Sequence, residues 1–246
     1  MNGLAEGQIA ARRDWAPGLT TLFVDASIEP FVPGQFVNLG LEIGADLVRR
    51  SYSIASKPGA ALEFFLKEVP GGGLTPLLLR SAVGSRVLVE RKPQGFFTLA
   101  YVPPSREMWF VATGTGLGPF IAMLRDGEIW QRVERVALVH GVRHAEYLAY
   151  AAELAQLALE QAGRFSYVPV VSGGPPGQAL SGRVTTALAD GSLEARAGLS
   201  LDPERSHVML CGNPDMISEF TFLLSARGLR KHRMRTPGHI SAEKYW

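Results

Sequence analysis

Apolar and polar positions change rhythm partway along the chain. Before residue 103 the apolar residues come in short stretches broken by glycine and proline. Between 62 and 67, Leu62, Phe64 and Leu66 alternate with Glu63, Phe65 and Lys67, the period of two that suits a half-buried strand. Similar stretches over 8–14, 19–27, 35–42, 48–56 and 86–91 predict further strands, and strands at this spacing form a small barrel or a sandwich. One short helical pattern, over 74–80, interrupts them.

Beyond Pro103 and Pro104 strands alternate with helical patterns, which predicts a parallel sheet. Strands are expected over 108–112, 133–139, 165–171 and 207–211, and helices over 120–125, 145–161 and 214–226. In the helix over 145–161, Leu148, Ala152, Ala155 and Leu159 define the apolar face, with Gly163 as the stop. Asn213 is placed to cap the last helix and Pro214 to occupy its first turn. The tandem prolines mark a linker between two domains, 1–102 and 105–246.

Composition narrows the chemistry. The 246 residues are 46% apolar and 20% charged, the balance of an ordinary globular protein. No apolar run reaches the length of a membrane span, and residues 1–14 lack the apolar core of a signal peptide, so a cytoplasmic protein with no membrane partner is expected. One cysteine, Cys211, excludes an internal disulfide and a cysteine-ligated iron–sulfur cluster. The five histidines show no metal-binding spacing, although His140 and His144 stand four apart, so no metal is expected. Redox chemistry in such a chain needs an organic cofactor. The net charge of +2 gives no reason to expect nucleic acid. Locally, Arg227, Arg230, Lys231, His232, Arg233 and Arg235 form a basic segment. It fits cations complementing a helix C-terminus beside a solvated loop, and equally a dock for an acidic protein.

Three segments carry candidate chemistry. The turn Thr113-Gly114-Thr115-Gly116-Leu117-Gly118 joins an expected strand to an expected helix, where backbone N–H groups hold phosphate; it also fits a plain tight turn. At the end of the next strand, where an NAD site places a carboxylate, stands Arg143, and Arg183 follows a Gly- and Pro-rich loop. Cations there suit a ribose phosphate, hence NADP, although a single arginine is more commonly a solvated surface side chain. The strand Arg50-Ser51-Tyr52-Ser53 sets an arginine, a phenol and two hydroxyls in succession. Arg50 suits a pyrophosphate, Tyr52 a flat ring system and Ser53 a ring nitrogen. Gly71, Gly72 and Gly73 lead into Leu74 and Thr75, a second turn suited to a pyrophosphate or to a hairpin loop.

Arg50-x-Tyr52-Ser53, Gly73-Leu74-Thr75, Ala112-Thr113-Gly114-Thr115-Gly116, Cys211-Gly212-Asn213-Pro214 and the ending Ala242-Glu243-Lys244-Tyr245-Trp246 together resemble the ferredoxin–NADP⁺ reductases, in the family's order and over nearly the whole chain. The Tyr-Trp ending is similar to the bacterial flavodoxin/ferredoxin reductase branch. The resemblance implies an N-terminal six-stranded antiparallel β-barrel for FAD and a C-terminal α/β parallel-sheet domain for NADP(H), with the flavin ring at the seam. It implies that Arg50, Ser51, Tyr52 and Ser53 hold FAD, with Gly73, Leu74 and Thr75 at its phosphates. Thr115 lies by the nicotinamide end, and Tyr245 stacks opposite Tyr52 as a gate for the nicotinamide. Trp246 covers the adenine. Thr113, Gly114, Gly116, Arg143, Arg183, Cys211 and Gly212 take NADP, and Ser53, Cys211, Glu243 and Tyr245 flank the reacting atoms.

The implied activity is hydride exchange with NADP(H) and single-electron exchange with ferredoxin or flavodoxin, docked on 227–235 of a monomer. An NAD(P)H-dependent flavin or quinone reductase, an oxygenase reductase component, and a non-catalytic nucleotide-binding protein are the alternatives. One position departs from the bacterial pattern. Gly173 stands after Ser172 where that branch carries an arginine, so weaker discrimination for NADP is expected.

Overall fold

The computed structural model describes every residue except Met1, Asn2, Pro70 and Trp246. Two compact units emerge, one of Met1–Leu99 with Gly118–Asp126, the other of Ala100–Leu117 with Gly127–Trp246.

In the first unit β1 (Leu4–Ala16), β2 (Leu19–Ala26), β3 (Phe36–Ile43), β4 (Asp46–Ser53), β5 (Leu62–Lys67) and β6 (Arg86–Glu90) form one antiparallel sheet in the order β4-β3-β6-β1-β2-β5. A bridge between Ile54 and Phe64 joins its two edges, so the sheet closes on itself as a barrel. The alternation over 62–67 turns Leu62, Phe64 and Leu66 into an interior shared with Ile9, Leu22, Val24, Val37 and Leu39. A short helix, α1 (Thr75–Arg80), follows the glycine turn after β5, and a longer one, α2 (Gly118–Asp126), is fastened by an Arg125–Glu63 ion pair of 2.9 Å.

The second unit contains β7 (Glu107–Thr113), α3 (Ile129–Arg132), β8 (Arg135–Val142), α4 (Ala151–Glu160), β9 (Phe165–Val171), β10 (Leu180–Ser181), α5 (Val184–Ala189), α6 (Ser192–Ala197), β11 (Ser206–Gly212), α7 (Pro214–Ala226) and β12 (Ile240–Lys244). All its strand pairs are parallel, in the order β10-β9-β8-β7-β11-β12. β11 is buried throughout and β7 is buried up to Ala112, as a sheet covered on both faces requires. Asn213 caps α7 as expected, its Oδ1 accepting from the N–H groups of Asp215 at 2.7 Å and Met216 at 3.2 Å.

The expected helix over 145–161 is shorter than its pattern. A 3₁₀ turn at Ala145–Tyr147 is followed by Tyr150 in the left-handed region at φ 60°, and α4 starts only after it. Leu154 is the buried residue of that helix while Leu159 is 74% exposed, so the apolar face runs along a different line from the one its leucines and alanines outline. Strands β10 and β12 and helices α3, α5 and α6 lie outside the elements that the sequence pattern predicts. Among the described residues no helix is long and apolar enough to cross a membrane.

Candidate active site

The strand order sets where a ligand fits. From β7 the chain runs outward through β8, β9 and β10, then returns to the other side of β7 with β11 and β12. In an open parallel sheet the crevice at such a switch point, beyond the carboxyl ends of the strands, is where ligands bind. Here those ends are Thr113 of β7 and Cys211-Gly212 of β11, paired side by side through Ala112 and Cys211.

The two turns that leave these strands abut without room for side chains. A Cβ on Gly116 would collide with the carbonyl oxygen of Cys211 and lie 2.6 Å from its carbonyl carbon and 2.9 Å from Gly212 Cα. Gly212 has φ +130°, and a Cβ there would run into the hydroxyl of Thr113. That hydroxyl accepts from the Asn213 N–H at 2.9 Å, tying the first turn to the start of α7. Thr115 and Gly116 are buried, and the carbonyl of Gly114 accepts from His140 Nε2 at 3.3 Å. Because a carbonyl only accepts, Nε2 carries the proton and Nδ1 accepts from the Tyr167 hydroxyl at 3.4 Å. Burial lowers His140 to about 4, so the anchor of the turn is a neutral imidazole. This role of His140 is not legible in the sequence, where the residue shows only its spacing from His144.

Strand β12 completes the far side. Its parallel register sets Glu243 beside Cys211, and the Tyr245 N–H donates to the Gly212 carbonyl at 3.0 Å. Burial pushes the Cys211 thiol up, the charge of Glu243 pushes the same way, and a hydrogen bond with the Tyr245 side chain opposes them. Cys211 is therefore a neutral thiol, a poor nucleophile and a small uncharged wall. The structure thus brings together Thr113, Gly114, Thr115, Gly116, Cys211, Gly212, Glu243 and Tyr245. Trp246 lies outside the described residues.

Arg143 and Arg183 stand further along the same carboxyl edge, just past the ends of β8 and β10. Both are exposed, and neither has an ion-pair partner among the described residues. Gly173, past the end of β9, donates its N–H to the Arg143 carbonyl at 2.6 Å.

In the barrel unit, β4 has its outer positions largely exposed, with Arg49, Arg50 and Ser51 open and Tyr52 and Ser53 half-buried. The Tyr52 hydroxyl lies 2.9 Å from Thr75 Oγ1, which binds β4 to the start of α1. Burial pushes the Tyr52 phenol up, against smaller opposite effects of Thr75 and the Arg50 charge. A Cβ on Gly73 would sit 3.8 Å from Val48 of β4, so the glycine turn flanks the same strand. The Ser51 hydroxyl donates to Asn38 Oδ1 at 2.8 Å, and Asn38 in turn donates to Glu90 at 2.6 Å. Arg50 reaches only the Arg49 carbonyl, at 2.7 Å, and has no carboxylate partner among the described residues. An uncommitted guanidinium, a half-buried phenol and a glycine turn on one strand face suit an anionic ligand that carries a flat ring.

One unit is a closed antiparallel barrel and the other a parallel sheet with a nucleotide-type switch point. Residues 110–221 match the oxidoreductase NAD-binding domain family. Over 98% of its length, and 98% of the relative's, the chain is 39% identical to the flavodoxin/ferredoxin–NADP reductase of Escherichia coli K12. It is 35% identical to the ferredoxin–NADP reductase of Pseudomonas aeruginosa, over 87% of this chain and 86% of the relative. A crystal structure of a ferredoxin–NADP⁺ reductase from Neisseria gonorrhoeae, with bound FAD and NADP, superposes with a TM-score of 0.93 at 30% identity, covering 99% of both chains. The chain belongs to the flavodoxin/ferredoxin–NADP reductase family.

Proposed function

We propose that the protein is a flavoenzyme that exchanges hydride with NADP(H) and single electrons with ferredoxin or flavodoxin. Residues 1–102 hold FAD, and residues 105–246 hold NADP(H) and return Tyr245 to the flavin. The observation that carries this reading is the pair of abutting turns at the switch point, Thr113–Gly116 against Cys211–Gly212, in a chain 39% identical over its length to a flavodoxin/ferredoxin–NADP reductase. A bound flavin supplies the ability to take two electrons together and release them singly.

The chain's own residues do the rest. Arg50 pairs with the pyrophosphate, with Ser51, Gly73, Leu74 and Thr75 beside it. Tyr52 lies against the ring and Ser53 reaches a ring nitrogen. Thr113, Gly114 and Gly116 bring backbone N–H groups to the nucleotide without side chains in the way, and Thr115 lies at the nicotinamide end. Cys211 and Glu243 flank the reacting carbons, a neutral thiol beside a carboxylate. Tyr245 stacks on the flavin and yields its place to the nicotinamide. Arg143 and Arg183 take the ribose phosphate, so NADP(H) is preferred.

The carrier docks on the basic segment of a cytoplasmic monomer. Arg227 is committed to a bidentate pair with Glu194, with two contacts of 2.8 Å. Arg230, Lys231, Arg233 and Arg235 are exposed and without ion pairs among the described residues, which supports a dock for an acidic protein. Steady-state reduction of ferredoxin or flavodoxin, set against reduction of free FMN, tests the reading. A carrier rate well above the free-flavin rate is expected, and a carrier rate no better than free flavin sinks it in favour of a general flavin reductase.

A further inference from the structure

The edge that carries Arg143 and Arg183 contains a third polar side chain whose orientation is fixed. His144 Nδ1 lies 3.0 Å from the carbonyl oxygen of Gly173. A carbonyl only accepts, so Nδ1 carries the proton, and in the neutral ring Nε2 is left with a lone pair pointing away from Gly173. The backbone around it is pinned as well. The Tyr147 N–H donates to the His144 carbonyl at 3.0 Å, and the Tyr147 ring lies tilted 6.1 Å from the imidazole.

The imidazole also fills space that a side chain at 173 would use. A Cβ on Gly173 would lie 3.3 Å from His144 Cε1 and 3.1 Å from the Arg143 carbonyl oxygen, and a Cβ on Gly174 would lie 3.5 Å from His144 Nδ1. Glycine at 173 and histidine at 144 are thus one arrangement. The carbonyl of the first aims the ring of the second, and the missing side chain of the first makes room for it.

The chemistry offered there differs from that of the arginines. A ribose 2′-phosphate needs donors, whereas a ribose 2′-hydroxyl is itself a donor that seeks an acceptor, the task of the acidic residue in NAD sites. We propose that His144 is a specificity-determining residue whose Nε2 accepts from a free ribose 2′-hydroxyl, so that the protein uses NADH as well as NADPH. The inference rests on the reading that this edge receives the 2′ end of the nucleotide. Arg143 and Arg183 serve the phosphorylated form and His144 the unphosphorylated one.

The test uses the purified holoenzyme with ferricyanide as acceptor, with kcat and KM measured for both nucleotides. His144→Asn keeps a donor for the Gly173 carbonyl but lacks the distal nitrogen, and His144→Phe keeps the bulk of the ring without either nitrogen. Both are expected to raise KM for NADH about three- to tenfold, the size of one neutral hydrogen bond, with kcat and KM for NADPH unchanged. Gly173→Arg should raise the NADPH-to-NADH ratio of kcat/KM by a larger factor in a His144→Ala background than in the parent, because the imidazole otherwise crowds the new side chain. KM for NADH unmoved in both His144 variants, or raised equally for both nucleotides, overturns the inference. A holoenzyme that oxidises neither nucleotide overturns the underlying reading and the inference with it.

Discussion

Replacing Gly116 by alanine tests the geometry of the switch point with a single methyl group. The added Cβ meets only backbone, with the Cys211 carbonyl carbon at 2.6 Å and Gly212 Cα at 2.9 Å, so no side-chain rotation relieves it. Ordinary carbon contacts lie at about 3.5–4.0 Å, so the turn must move by about 1 Å. Overpacking of this kind costs about 1–3 kcal/mol, and a displacement of about 1 Å at a positioned reactant costs on the order of a hundredfold in rate. Gly116→Ala should therefore lower kcat/KM for NADPH about a hundredfold with ferricyanide as acceptor, while the preparation keeps its full FAD content, since the β4 and α1 residues are untouched. Gly114→Ala is the internal control. Its φ of +54° is unfavourable for alanine, but nothing lies within 4 Å of the new Cβ, so its cost is confined to backbone strain of about 1–2 kcal/mol. Parental kcat/KM in Gly116→Ala would show that the nucleotide does not use this turn, and an effect no larger than that of Gly114→Ala would show that the close approach to Cys211 and Gly212 does not set its geometry.

Two further expectations follow from charge. Burial lowers His140 to about 4; for His207, burial with the charges of His232 and His239 lowers it to about 3, both from 6.5. The folded protein thus disfavours their protonation, so the stability their neutral forms give is complete above pH 6.5 and is lost as pH falls below it, down to those values. Each pH unit costs about 1.4 kcal/mol per group, or roughly 4 kcal/mol for the two at pH 5, measured by urea unfolding at pH 7.5 and 5.0; a loss below about 1 kcal/mol contradicts it. Reversing charge at Arg233 and Arg235 to glutamate should cut kcat/KM for the carrier about tenfold and weaken its salt dependence, while reduction of a small neutral dye is unchanged. Equal effects on carrier and dye refute the dock.

Much of this fold is legible in the sequence, for local reasons. The alternation over 62–67 marks a half-buried strand because its neighbours on one face are all interior, and Asn213-Pro214 marks a helix start because both residues act on the turn that contains them. What escapes is long-range. Strand β12, Ile-Ser-Ala-Glu-Lys, has weak strand propensity of its own and exists because β11 offers an unpaired edge beside it, so the register that sets Glu243 next to Cys211 cannot be read along the chain. The apolar spacing over 145–161 reads as one helix because nothing local announces that Tyr150 adopts a left-handed conformation. His140 shows no signal because its role depends on Gly114 and Tyr167, brought to it only by the folded sheet. The Arg50–Ser53 strand stood out for the opposite reason, since its run of polar residues breaks the local rule for a barrel strand.

The central claim is that one chain holds a flavin and a site for a reducing nucleotide and passes electrons between them. Anaerobic titration of the purified protein with NADPH, followed by visible absorbance, tests it most directly. A yellow protein that releases FAD on denaturation and bleaches with about one equivalent of NADPH per flavin, the stoichiometry of one hydride, is the expected result. A colourless protein, or a yellow one whose absorbance NADPH leaves unchanged, contradicts it.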